Sequence, residues 1–175
     1  IVLVSAKSKN ALKLYLKNWR EFLFSISENS YNIHHENLLT HIAYSSQVGR
    51  VAMPFRAAIV ANSLEQLIGN VDQCIQEKTL ESENGFAMAS FEGCKSDNEI
   101  FPTVEFSESL DQLKNLAFQW TKGKSIDWRN FSNGKGMYID IPQYPFEEQR
   151  YWYFNDQKSE SKNDSFTKLC EETFG

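Results

Sequence analysis

Histidine, cysteine and proline are scarce in this chain, and positive charge is in deficit. There are three His, three Cys and four Pro in 175 residues. Lys and Arg total 18 against 23 Asp and Glu, for a net charge of −5. No basic stripe is available to track phosphates, which argues against nucleic acid as a partner. The longest apolar run lies near Ala57–Ala61. It is far short of the roughly 20 residues a membrane-spanning helix needs. Cys74, Cys94 and Cys170 are odd in number and lack metal-ligand spacing. A disulfide framework is therefore not expected, and a reducing cytoplasm is the compartment that fits. Glycine-rich phosphate loops and a nucleophile elbow are also missing, so no cofactor is implied.

What is present is ordinary globular material: 41% hydrophobic, 23% charged and 14% aromatic. Such a composition excludes a wholly disordered chain, and the length suits one domain with an extension. The chain opens Ile1-Val2-Leu3-Val4, with neither an initiator Met nor a basic leader. It reads as a piece of a longer protein, not as a secreted precursor.

Ile1 to Ala6 is short, β-branched and apolar, and predicts a buried strand. Ser8 offers a cap oxygen to a helix in which Leu12, Leu16, Trp19, Leu23 and Ile26 recur at helical spacing. A second helix is predicted from Glu36 to Val48, facing inward with Leu39, Ile42, Ala43 and Ser46 and stopped by Gly49. Phe55 to Ala61 is too continuously apolar for a half-exposed strand and predicts a central one, covered on both faces. Ser63-Leu64-Glu65-Gln66 is a capping box for a third helix carrying Leu64, Leu67, Ile68, Val71 and Ile75. Thr79 to Gly85 reads as loop and Phe86 to Phe91 as a third strand. Ser109-Leu110-Asp111-Gln112 repeats the capping box. Its helix faces inward with Leu110, Leu113, Ala117 and Trp120 and ends at Gly123. Beyond Ser125 aromatics crowd and periodicity fades; Met137, Ile139 and Ile141 alternate as in an edge strand. The fold class is α/β (α+β): a small three-stranded sheet with helices packed on it, followed by an extended aromatic tail.

Catalytic constellations are hard to find. His34 and His35 stand at a helix start, where a polar surface role is the plain reading. His41 sits one residue off an apolar face. Cys94 with His41 is the one conceivable nucleophile and base, giving a small Cys-dependent hydrolase or transferase as an alternative. A generic small-molecule binding domain is another. Asn133-Gly134-Lys135-Gly136 reads as a tight turn. Glu147 and Glu148 point apart and do not make a shared-proton dyad. The tail from Tyr144 to Trp152 must lie on something, either this same domain or a neighbour.

Five segments carry a resemblance. They are V-L-V-S-A-K-S (Val2 to Ser8), I-A-Y-S-S-Q-V-G-R (Ile42 to Arg50) and R-A-A-I-V-A-N-S-L-E-Q-L (Arg56 to Leu67). The fourth is W-x-x-G-x-x-I-D-W, formed by Trp120, Gly123, Ile126, Asp127 and Trp128. The fifth is I-P-Q-Y-P-F-x-x-x-R-Y-W from Ile141 to Trp152. In this order they resemble the region that follows the ketosynthase in modular polyketide synthases, over about residues 1–153. Gln143 stands where the family usually has Thr, and Asp140 where a small residue is common. Too few residues separate the early segments from the I-D-W segment to hold an acyltransferase domain. The chain is thus similar to the ketosynthase flanking subdomain, or acyltransferase docking domain, of trans-acyltransferase synthases.

The resemblance implies a non-catalytic scaffold with helices on one side of a small sheet. Residues 1–128 would form the flanking subdomain, 129–154 an extended tail over the ketosynthase or this domain, and 155–175 a flexible polar linker. It implies ketosynthase contacts at Tyr144, Pro145, Phe146, Arg150, Tyr151 and Trp152. A free-standing acyltransferase is the second implied partner. If charge guides it, Glu65, Asp72, Glu77, Glu81 and Glu83 are the candidate docking residues. Gly93 to Ser107 is short, polar and broken by Pro102, so the helical insert that lets some family members associate sideways is not expected.

Overall fold

A computed structural model describes residues 1–28, 37–78, 80–82, 85–90, 93–94, 109–131 and 136–146. Strand β1 (Val2–Ala6) leads into helix α1 (Lys9–Glu28), and α2 (Leu38–Val48) follows. Then come β2 (Phe55–Val60), α3 (Leu64–Ile75), β3 (Leu80–Ser82), β4 (Gly85–Ser90), α4 (Leu110–Thr121) and the single turn α5 (Trp128–Phe131). The order β-α-α-β-α-β-α read from the sequence is recovered, with β3 and α5 added.

The helix starts follow the capping chemistry. Ser8 Oγ accepts the Ala11 N–H at 3.1 Å, and Ser63 and Ser109 accept the N–H groups of Gln66 and Gln112. Gln66 Oε1 reaches back to the Asn62 N–H at 2.8 Å, completing a reciprocal box one residue upstream of the expected donor. Gly49 closes α2 in the right-handed conformation (φ −82°), so it is not the left-handed stop that glycine suggested. Positive φ at a helix end is found instead at Glu77 (φ 58°), after α3, and at the expected Gly123 (φ 106°), after α4.

The sheet is antiparallel throughout, in the order β1-β2-β4-β3. Three strands make its body, as expected. The correction is at Thr79 to Gly85, read as loop, where Leu80–Ser82 pairs with β4 as a short outer strand. Three residues are too few for a period-2 signal to show in the sequence.

Alternation divides the core in two. Val2, Val4, Ala6, Ala57, Ile59 and Ala87 face α1 and α3, where Leu12, Leu16, Trp19, Leu23, Leu67 and Val71 are buried. Leu3, Ala58 and Val60 face the other way, onto Leu116, Ala117, Trp120 and Trp128. The sheet is therefore covered on both sides, not on one as the resemblance implied. Both sets of alternate β2 side chains are apolar, and each needs a cover; α4 supplies the second. Helix α2 lies against β1. Its Ser46 Oγ accepts the outward Leu3 N–H at 3.1 Å, and Gln47 Nε2 donates to the Ile1 carbonyl at 2.7 Å. An edge that would otherwise present free backbone groups is thus sealed by side chains.

Candidate functional site

A charged residue inside an apolar strand organises the second face. Arg56 is 2% exposed. Its register places it with Ala58 and Val60, toward α4. Nε donates to the Met53 carbonyl at 2.9 Å, and Nη1 donates to the Trp120 and Lys124 carbonyls at 2.9 and 3.2 Å. The guanidinium carbon stands 5.0 Å from the Trp120 ring centroid. Burial holds the guanidinium below its ordinary pKa, yet arginine keeps its proton in proteins. Two of its three acceptors, the Trp120 and Lys124 carbonyls, lie at and just beyond the C-terminus of α4, the negative end of the helix dipole. Gly123 makes this convergence possible. At φ 106° it turns the chain so that Lys124 N–H reaches back to the Gln119 carbonyl.

The chain then enters α5, where Asp127 Oδ1 accepts the Arg129 N–H at 3.1 Å and Trp128 is buried. Between this turn, the end of β1 and the α2–β2 connection lies a cleft of about 330 Å³.

On the other side of the cleft Tyr144 lines it, from a strap formed by residues 136–146. The edge strand expected around Met137, Ile139 and Ile141 does not form, because the backbone there is held by side chains. His41 Nδ1 accepts the Met137 N–H at 3.2 Å, and Ser45 Oγ accepts the Ile139 N–H at 2.9 Å. Tyr15 and Arg50 donate to the Pro142 carbonyl at 2.9 and 3.3 Å, and Tyr144 Oη accepts the Lys7 N–H at 3.1 Å. Pro142 and Pro145 have no N–H to offer a ladder. Gly136 starts the strap against α2. A Cβ there would stand 2.3 Å from Tyr44 Cβ, so only glycine permits the approach. Ile139, Ile141 and Tyr144 pack on the larger core.

All five segments that carry the resemblance meet at this cleft. Leu3 and Ser5 come from the first, Ser46 to Val48 and Arg50 from the second, and Arg56 from the third. Trp120, Ile126, Asp127 and Trp128 come from the fourth and Tyr144 from the fifth. Of the tail residues, Tyr144 faces its own domain, with its ring 5.9 Å from that of Tyr15. Pro145 is half-buried and Phe146 is 84% exposed. Arg150, Tyr151 and Trp152 lie outside the described residues.

Two of the acidic candidates already have ion-pair partners. Asp72 pairs with Arg20 at 2.6 Å, and Glu77 pairs with Lys9 at 2.9 Å and with Lys13. Hydrogen bonds from those lysines hold the Glu77 carboxyl below the usual range. Glu65 is exposed in the first turn of α3, its carboxyl lowered by backbone and Ser63 hydrogen bonds. The side chain of Glu81, and Glu83 altogether, lie outside the described residues.

The proposed thiol–imidazole pair is not assembled. Cys94 Sγ donates to the Pro54 carbonyl at 3.0 Å, whereas the His41 ring accepts from the strap. Cys74 is buried among apolar side chains, which push its thiol up to about 12. Such a thiol is inert. His34, His35, Cys170, Glu147, Glu148 and most of Gly93 to Ser107 lie outside the described residues. Sequence reasoning gave no side-chain role to Arg56 or Tyr15, and it read Gly136 only as part of a tight turn, not as the point where the strap meets Tyr44. Only Arg56 left a signal, as the one charge in an apolar strand.

Residues 3–78 match the RhiE-like, KS-MAT linker domain family. The chain is 32% identical over 162 residues to Polyketide synthase PksR of Bacillus subtilis (strain 168), and 30% over 164 residues to Polyketide synthase PksN of the same organism. Each alignment covers 87% of this chain, but only 6% and 3% of those relatives. The chain therefore corresponds to a small part of each. Among solved structures, the ketosynthase from module 6 of the bacillaene synthase from Bacillus subtilis 168 matches with a TM-score of 0.60 at 30% identity. That match spans 86% of this chain and 26% of the other.

Proposed function

We infer the role of this chain from its family: it belongs to the linker domains that adjoin ketosynthases in modular polyketide synthases. We read it as a non-catalytic scaffold, which holds a ketosynthase in a set position relative to the domains that follow. The carrying observation is the convergence of all five segments on one cleft whose central charge, Arg56, is used to build the wall. Cys94 and His41 each hold a backbone group instead of each other, which disfavours the hydrolase reading. The proposed division is a flanking subdomain over 1–128, a tail over 129–154 that continues onto the ketosynthase, and a linker over 155–175. The 128/129 boundary falls within α5. The tail contacts assigned to the ketosynthase are Pro145, Phe146, Arg150, Tyr151 and Trp152; Tyr144 anchors the tail to this domain.

The second part of the reading is the trans arrangement. The short span between α3 and the Trp120–Trp128 segment leaves no place for a built-in acyltransferase, which supports supply of acyl units by a free-standing one in the cytoplasm. Titrating the isotope-labelled chain with that acyltransferase, and following amide shifts, tests recruitment. Saturable shifts around Glu65 are expected if α3 recruits it. Flat spectra at saturating acyltransferase would remove the recruitment role and leave the scaffold.

A further inference from the structure

The strap is held in two different ways along its length. Its first half, from Gly136 to Ile139, is gripped by one face of α2. His41, Tyr44 and Ser45 stand at i, i+3 and i+4 and so share that face. His41 Nδ1 accepts the Met137 N–H at 3.2 Å. Ser45 Oγ accepts the Ile139 N–H at 2.9 Å and donates to the Met137 carbonyl at 3.5 Å. Tyr44 packs against Gly136 and meets the Tyr138 ring edge-on, with centroids 5.0 Å apart. The second half is gripped by Tyr15 and Arg50, which donate to the Pro142 carbonyl, and by the Lys7 N–H, which donates to Tyr144 Oη. Phenols and guanidiniums keep their protons through neutral and mildly acidic pH. Imidazoles change charge in that range.

The His41 bond has a protonation requirement. A nitrogen that accepts an N–H must carry a lone pair, so the neutral ring keeps its proton on Nε2. A protonated ring donates from both nitrogens and has no acceptor left for Met137. Little apolar burial holds this end: Met137 and Tyr138 are 63% and 62% exposed. A hollow of about 670 Å³ lies between the end of α2, at Ser45, Gly49 and Arg50, and strap residues Tyr138 to Ile141, and leaves room for movement. We propose that His41 is a proton-sensitive latch: the neutral ring fastens the first half of the strap to α2, and protonation releases residues 136–139 while 142–144 stay docked. The inference goes beyond the scaffold reading and holds whichever partner the tail meets. Other titratable groups surround α2. The helix itself carries Tyr44, and Arg50 follows it. It packs on β1 and α5 as well as on the strap. Strand β1 has no titratable side chain, but the Ile1 amino group before it is lowered to about 6 by burial. The strap brings Asp140, and the α5 turn brings Asp127 and Arg129. Among the described residues no ion pair joins any of these to His41. His34, His35 and Glu36 lie outside the described residues.

Amide hydrogen exchange in the full chain tests this. Protection factors, corrected for intrinsic exchange, are compared at about pH 8 and about pH 5, the two ends of the range in which imidazoles change charge. Protection at Met137 and Ile139 should fall about fivefold on acidification, the worth of roughly one hydrogen bond. Protection at Lys7, whose N–H serves the second half, should stay constant. His41→Asn sets an amide oxygen near the place of Nδ1 and carries no titrating proton, so it should keep the same protection at both pH values. Constant protection of Met137 and Ile139 in the native chain would overturn the latch. So would a fall that survives His41→Asn, since that variant leaves Ile1, Asp140 and Arg129 in place. An equal fall at Lys7 would overturn the two-part grip. Where the variant lacks protection at both pH values, long-range proton–nitrogen spectra of the native His41 ring decide. A bare Nδ1 at about pH 8, with the Met137 amide shift titrating in step with the ring, supports the latch, and a proton on Nδ1 at that pH overturns it.

Discussion

The two faces of the sheet are built by different physics. The α1–α3 face is apolar throughout: Leu12, Leu16, Trp19, Leu23, Leu67 and Val71 close over Val4, Ile59 and Ala87. Its only orphaned polar atom among the described residues is Trp19 Nε1. The α4 face has fewer buried hydrophobes and is drawn together by a guanidinium that binds three carbonyls. A face held by area tolerates exchange of one hydrophobe for another of similar volume. A face held by a charged, directional knot does not, and it is the one bordering the cleft. The molecule thus uses one side for stability and the other for shape.

The comparison breaks most visibly in the apolar core. Trp19→Ala should cost about 3–5 kcal/mol, as large aromatic deletions do, and shift the whole denaturant transition. A loss below 1 kcal/mol would mean that the α1–α3 face is not the stability reservoir. Next comes Arg56→Met, which keeps the volume and removes the donors. Loss of charge-assisted hydrogen bonds of this kind costs about 1.5–3 kcal/mol. Hydrogen exchange should rise at 120–128 before it rises in α3. Arg56→Lys should not rescue it, because an ammonium cannot span Met53, Trp120 and Lys124 as a planar fork does. Equal loosening of both faces would contradict the division drawn here.

Gly136→Ala should act more weakly, at about 1 kcal/mol, the low end for an overpacked site, since the strap can lift away from Tyr44. The signature is faster exchange at Met137 and Ile139 with an unchanged core. The smallest effect is expected on the outer face of α1 and α3. The folded Glu77 carboxyl sits below its ordinary value, so its contribution is present above that value and lost as pH falls through the folded one. Glu77→Gln should flatten the acid limb of the stability profile and change little near pH 7. An unchanged limb would show that the lysine contacts are no more than surface decoration.

Legibility followed the same line. Helix α1 could be read because Leu12, Leu16, Trp19 and Leu23 repeat on one face, and α3 and α4 because Ser63 and Ser109 precede Gln at the right distance. β2 declared its burial on both sides through its unbroken apolar run. The strap was misread as an edge strand because alternation at Met137, Ile139 and Ile141 reports only which side chains turn inward. It does not report what takes the backbone N–H groups, and here these go to His41 and Ser45, nearly a hundred residues earlier. The pairing of Asp72 and Glu77 was not legible because Arg20, Lys9 and Lys13, which bind them, lie on another helix.

Residue order alone was enough for the three main strands, helices α1 to α4, the serine caps of α1, α3 and α4, the two-sided burial of β2 and, through five ordered segments, the family. These are local properties: spacing along one helix or strand, a cap three residues from its target, a word of several residues. Only the tertiary structure decided that the five segments enclose one cleft, that Arg56 ties α4 to β2, that Gly136 must be bare to let the strap approach Tyr44, and that Cys94 and His41 serve different partners. Each of these depends on residues distant in the chain meeting at a few ångströms, and no periodicity encodes which distant residue will be met.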